Sequence, residues 1–109
     1  MIGLPLTLTP AEAAALLDGP DAPLLIDVRE ESEWNEVHIP GALLIPLSQF
    51  VARQSEIPKD RALIMQCRSG SRSGQAALAL RTAGRANVAN LAGGIIDWEA
   101  AGLPVSYGG

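Results

Sequence analysis

The stretch Ala62-Leu63-Ile64-Met65-Gln66-Cys67-Arg68-Ser69-Gly70-Ser71-Arg72-Ser73-Gly74 decides the fold. Its first part is a short apolar run with the length and composition of a strand buried on both faces. Its second part is small and polar, and Gln75 to Ala83 then reads as a helix with Ala76, Ala77, Leu80 and Ala83 on its inner face. A strand therefore ends at the chain's single cysteine, a loop turns, and a helix leads away. Backbone N–H groups in such a loop can converge on one point, and the helix start adds unpaired donors and a positive dipole end. A thiolate, or the anion it carries, is what such a point holds. Cations are otherwise disfavoured at a helix N-terminus, so Arg68 and Arg72 read as flanking something negative, with at least one of them an anion contact. The pattern reads as a sulfur-based active site with Cys67 as its reactive thiol.

Working outward, Thr9-Pro10-Ala11-Glu12 is a helix start, with Thr9 as cap, Pro10 in the first turn and Glu12 closing a capping box; Gly19-Pro20 stops the helix. Leu24-Leu25-Ile26 is a second buried strand, ended by Asp27-Val28-Arg29. Glu30 to Glu36 reads as a short helical turn, His38 to Ala42 as a loop, and Leu43 to Ile45 as a brief apolar stretch. Pro46 to Ala52 has helical spacing in Leu47, Phe50 and Val51. Beyond the central loop, Gly84 is a left-handed helix stop, Ala86 to Leu91 is a weak strand, and Gly93-Gly94 turns into a short helix from Ile95 to Ala101. Alternating strands and helices predict an α/β fold, a mostly parallel central sheet with helices on both faces. Ligands of such sheets lie beyond the carboxyl ends of the strands, the edge where Asp27, Arg29 and Cys67 all fall.

Each remaining candidate has a plain structural reading. Ser69, Ser71 and Ser73 are turn and cap residues whose hydroxyls can also donate to the sulfur, and Ser73 is placed as a helix cap. His38 sits in an Ile-Pro-Gly turn and is assigned a structural role rather than that of a base for the thiol. Asp27 and Arg29 read as a pair bracing the catalytic loop from the neighbouring strand. Trp34 and Trp98 are core or pocket-wall residues, and Glu30, Glu31, Glu33 and Glu36 form a solvated face with no metal-like arrangement.

Composition sets the outer limits. A chain of 109 residues, 48% hydrophobic, suits one domain over 1–109 with its core about 9–105. A net charge of −4 argues against nucleic acid as the main partner, although most of the basic residues fall between Arg53 and Arg85. One cysteine excludes an internal disulfide and any multi-cysteine zinc site, and leaves Cys67 without a resolving partner in this chain. Met1 to Leu8 has no signal-peptide character, and no apolar run approaches the roughly 20 residues of a membrane span. A cytoplasmic location, with no membrane partner and no cofactor, is the expectation.

Taken together these residues resemble the rhodanese-like family from Thr9 to Val105. Asp27-Val28-Arg29-Glu30 looks like its first-strand motif, and His38-Ile39-Pro40-Gly41-Ala42 is similar to its Gly-His-Ile-Pro-Gly-Ala turn, with Val37 in place of the glycine. Cys67 to Ser73 looks like the active loop of single-domain sulfurtransferases. Gly93-Gly94-Ile95-Ile96-Asp97-Trp98, followed by Gly102-Leu103-Pro104-Val105, matches the C-terminal signature. The resemblance implies that Cys67 takes a sulfane sulfur from a donor such as thiosulfate, carries it as a persulfide, and passes it to cyanide, another thiol or a sulfur-relay protein. It implies that Arg68, Ser69, Gly70, Ser71, Arg72 and Ser73 form the cradle. Two other readings stand beside it: a phosphatase or arsenate reductase of the same fold, and a sulfur-carrier or partner-binding module with little turnover. Four residues separate Cys67 from Arg72, whereas phosphatase-type loops of this fold have five, and the smaller ring suits one sulfur better than a tetrahedral phosphate.

Overall fold

The computed structural model describes residues 3–108. Met1, Ile2 and Gly109, the outer residues of the 1–109 span and in part of the stretch read as no leader, lie outside the described residues. The first helix forms as its local chemistry dictates. The Thr9 hydroxyl accepts from the Glu12 amide at 3.2 Å, and the Glu12 carboxylate accepts from the Thr9 amide at 2.9 Å, so α1 starts at Pro10 and runs to Leu17. The remaining elements are β1 (Thr7–Leu8), β2 (Leu24–Asp27), α2 (Glu31–Glu36), β3 (Val37–His38), β4 (Leu43–Leu44), β5 (Leu63–Gln66), α3 (Ser71–Thr82), β6 (Val88–Leu91), α4 (Gly94–Ala100) and β7 (Ser106–Tyr107).

Five strands form one sheet in the order β1-β6-β5-β2-β4, and all four pairings are parallel. Leu24 to Asp27 lie opposite Leu63 to Gln66, so β2 and β5 end level with one another. Side chains alternate between two apolar layers, as a strand's period of two requires. Ile26, Leu63, Met65 and Val88 pack with Ala76, Ala77 and Leu80 of α3. Leu25, Ile64, Ala89 and Leu91 pack with Ala13 of α1 and with Ile95 and Trp98 of α4. Helices thus cover both faces of a parallel sheet, as the alternation predicts. Each buried Leu or Ile contributes about 1.5–3 kcal/mol, and Leu25, Ile26, Leu63, Ile64 and Leu91 of the central strands are all buried.

Local pattern misleads in three places. Pro46 to Ala52 is not one helix. Two 3₁₀ turns, Leu47–Gln49 and Gln54–Glu56, replace it, with Phe50 buried and Val51 84% exposed. The Ile45 and Leu47 amides donate to the Asp27 and Val28 carbonyls, which holds the chain to β2 just as a helix would have to begin. The helix expected from Gln75 instead starts at Ser71, and Ala83, expected on its inner face, is its exposed C-cap. The short strands β1, β3 and β7 were not expected; β3 and β7 form a separate antiparallel pair, Val37 with Tyr107 and His38 with Ser106. Among the described residues no helix is long and apolar enough to cross a membrane.

Candidate active site

Cys67 follows directly on β5, whose four residues are all buried. At the carboxyl edge of a parallel sheet the next residues must leave the layer. They do so through Gly70, whose φ of +100° suits glycine and which serves as N-cap of α3. This turn brings the Gly70 amide to 3.1 Å from Cys67 Sγ and the Ser73 hydroxyl to 3.3 Å. The amides of Ser69 and Ser73 also face the sulfur. Burial pushes the thiol's pKa up, but the Ser73 hydroxyl and the Ser73, Gly70 and Ser69 amides outweigh it and leave the pKa below its ordinary value. The cysteine is only 1% exposed and one side of it meets the apolar layer, yet its sulfur is ringed by donors.

The back of the loop is held by α4. The Ile95 amide donates to the Cys67 carbonyl at 3.0 Å and the Ile96 amide to the Arg68 carbonyl at 3.2 Å, so unpaired N–H groups at that helix start meet carbonyls of the sulfur loop. Gln66 Nε2 donates to the same Cys67 oxygen at 2.8 Å. Gly94 makes the approach possible, because a Cβ there would lie 2.4 Å from the Arg68 oxygen.

The two arginines of the loop differ. Arg72 makes a bidentate pair with Glu33 of α2, at 2.7 and 2.8 Å. That pair holds the Glu33 carboxyl at about 2 and raises Arg72 further. Arg68 is exposed, and its side chain makes no ion pair or hydrogen bond among the described residues. It stands at the edge of a pocket of about 260 Å³ that Glu33, Glu36, Glu99 and Ile96 also line. A larger crevice, about 660 Å³, lies at the opposite edge of the sheet beside Pro23, Asp60 and Ala62, and no cysteine, serine or histidine lines it.

Asp27 and Arg29 are fully interior. Arg29 Nη2 donates to Asp27 Oδ2 at 2.7 Å and to the Val37 carbonyl at 2.7 Å, while the Arg29 amide donates to Asp27 Oδ1 at 2.9 Å. The pair ties the end of β2 to the end of α2, and α2 carries the Glu33 that grips Arg72. Its connection to the loop therefore runs through α2. His38 stacks on Trp34 with ring centroids 3.9 Å apart, and its Nδ1 donates to the Trp34 carbonyl at 3.1 Å.

The pattern that defines the rhodanese-like domain matches residues 9–101 of this chain. The chain belongs to the rhodanese-like family. A sulfurtransferase of Allochromatium vinosum is 48% identical over 82 residues, which cover 75% of this chain and 77% of that protein. A rhodanese-related protein of Thermoplasma volcanium has the same fold, with a TM-score of 0.84 and 27% identity over 92% of this chain and 96% of its own. The thiosulfate sulfurtransferase of Pseudomonas aeruginosa also gives 0.84, at 31% identity over 94% of this chain and 20% of that larger one.

Within this rhodanese-like domain, the geometry gathers Cys67, Ser69, Gly70 and Ser73 around one sulfur and turns Arg72 toward α2. Ser71 is the first residue of α3. Ser73 is not the cap its position suggested; it lies three residues past Gly70 and is wholly buried. Three participants were missed from sequence. Glu33 is not part of a merely solvated face. In the sequence Gly94 carries only a turn signal, and Asn90 falls in a weak strand. The Asn90 side chain reaches both Ser73 and Gly70. Only the Gly93-Gly94 doublet carries a local signal, and a Gly-Gly pair by itself marks a turn rather than a contact with another loop.

Proposed function

We propose that this domain is a sulfurtransferase that works through a persulfide on Cys67, with thiosulfate as a competent donor. The Cys67 thiolate attacks the outer sulfur of thiosulfate. A new S–S bond forms at Sγ as the old one breaks, and sulfite leaves with the electron pair of the broken bond. Cyanide or a thiolate then attacks the terminal sulfur and returns Cys67 as thiolate, so charge balances in both halves. The observation that carries the reading is the set of donors converging on Sγ: the Gly70 amide and Ser73 hydroxyl, with the Ser69 and Ser73 amides beside them. Such donors stabilise the attacking thiolate, and the same ring suits the negative sulfur that follows it. Arg68, whose side chain has no partner among the described residues, supplies the positive charge for the sulfonate end of an anionic donor. Arg72, engaged by Glu33, together with Asp27 and Arg29, keeps α2 and α3 in register around the loop.

Intact mass tests this directly. Thiosulfate should add about 32 Da, one sulfur, removable by cyanide and absent in Cys67→Ser. An unmodified wild type that instead turns over an aryl phosphate overturns the reading in favour of a phosphatase.

A further inference from the structure

The Ser73 hydroxyl has two claimants and one proton. Its Oγ lies 3.3 Å from Cys67 Sγ and 2.6 Å from Asn90 Oδ1. The orientation of the Asn90 amide is not free, because its nitrogen is 3.0 Å from the Gly70 carbonyl, which can only accept. Oδ1 must therefore face Ser73, and it too can only accept. A hydroxyl donates once, so Ser73 serves either the amide or the sulfur. Glycine at position 74 leaves room for this arrangement, since a Cβ there would stand 3.2 Å from the Asn90 nitrogen.

We propose that Asn90 is a positioning residue that holds the Ser73 proton away from the sulfur in the resting thiol and yields it when the sulfur ionises. In the thiol, S–H donates to Ser73 Oγ and Ser73 donates to Asn90. In the thiolate, the hydroxyl turns to the sulfur and leaves two acceptor oxygens, Ser73 Oγ and Asn90 Oδ1, facing each other at 2.6 Å without a proton between them. Asn90 thus favours the thiol over the thiolate. On the persulfide reading, on which this consequence rests, the charge then moves to the terminal sulfur. Sγ becomes a neutral bridge, and Ser73 returns to Asn90. The residue therefore raises the energy of the free thiolate relative to both the thiol and the loaded enzyme, and the attack on the donor relieves that cost.

The other charged groups around the loop are Arg72 with Glu33, the Asp27–Arg29 pair at the end of β2, Arg68 in the loop with Glu36 and Glu99 lining the same pocket, and Asp97 on α4. They are unchanged among the variants compared, so their effect cancels. The test is the pH profile of Cys67 alkylation by iodoacetamide, which needs no sulfur transfer and so separates a failure here from a failure of the proposed function. Asn90→Ala should raise the acid dissociation constant of Cys67 about threefold or more. In a Ser73→Ala background the same change should have a smaller effect or the opposite one, because only the Gly70 contact is then lost. An equal effect in both backgrounds, or a lowered constant in the single variant, overturns the proposal. If Asn90→Ala loses its cooperative melting transition, Asn90→Ser, too short to reach Ser73, carries the same comparison.

Discussion

Gly94→Ala should break the contact that holds the sulfur loop from behind, and its cost can be worked from geometry. Gly94 has φ +60°, in the left-handed region where a Cβ costs about 1–2 kcal/mol. That Cβ would also stand 2.4 Å from the Arg68 oxygen and 2.5 Å from the Cys67 oxygen, both backbone atoms that cannot swing aside. Crowding of that kind costs about 1–3 kcal/mol, so the total is about 2–5 kcal/mol against a typical stability of about 5–15 kcal/mol. Gly41→Ala is the matched control, because Gly41 has φ +84° and nothing within 4 Å of its Cβ position. It carries the conformational cost alone. Urea unfolding of both variants, with the Cys67 alkylation profile, separates the two contributions. Gly94→Ala should be less stable than Gly41→Ala by about 1–3 kcal/mol, and its thiol pKa should rise as the Gly70 and Ser69 amides shift. Equal losses in the two variants, with an unmoved thiol in Gly94→Ala, would refute the close-approach argument.

The other expectations concern charge. The folded pKa of Glu33, about 2, lies below its ordinary 4.5, so the Arg72 pair contributes fully above about pH 4.5 and its contribution is lost as the pH falls toward 2. The shift corresponds to an upper bound of about 3 kcal/mol, which solvent screening of two partly exposed side chains reduces to about 1 kcal/mol. Glu33→Gln should therefore cost about 1 kcal/mol at neutral pH and nothing near pH 2, and a loss independent of pH would contradict the pairing. Arg68→Ala should raise KM for thiosulfate severalfold with little change in kcat, and should flatten the dependence of KM on ionic strength. A salt dependence like that of the wild type would remove Arg68 from donor binding.

How much of this was legible depended on whether the deciding contact was near in sequence. The capping box at Thr9 and Glu12 spans three residues and reads directly. The strand ending at Cys67 reads as clearly, because β5 is short, apolar and followed at once by small polar residues. The start of α3 did not. Ser71-Arg72-Ser73-Gly74 has poor helix propensity, and tertiary contacts hold it: Arg72 to Glu33 and Ser73 to Asn90. Strands of two residues, such as β1, β3 and β7, are too short to show a period. Glu33 looked like any other carboxylate of an acidic turn because its partner lies 39 residues away.

The same division of near and far explains how the site is built. Every donor to the sulfur comes from within six residues of Cys67, so the sequence of the loop spells out the ring. What fixes the ring comes from elsewhere. The amides of Ile95 and Ile96 hold its carbonyls, the amide of Asn90 holds Gly70 and Ser73, and Glu33 holds Arg72. Amide donors need only the backbone, so side chains at Ser69 and Ser71 can vary without removing any donor the sulfur uses. Gly94 and Asn90 cannot vary so freely, although neither touches the sulfur. A loop that binds through its backbone is specified less by its own side chains than by the elements that keep it from relaxing.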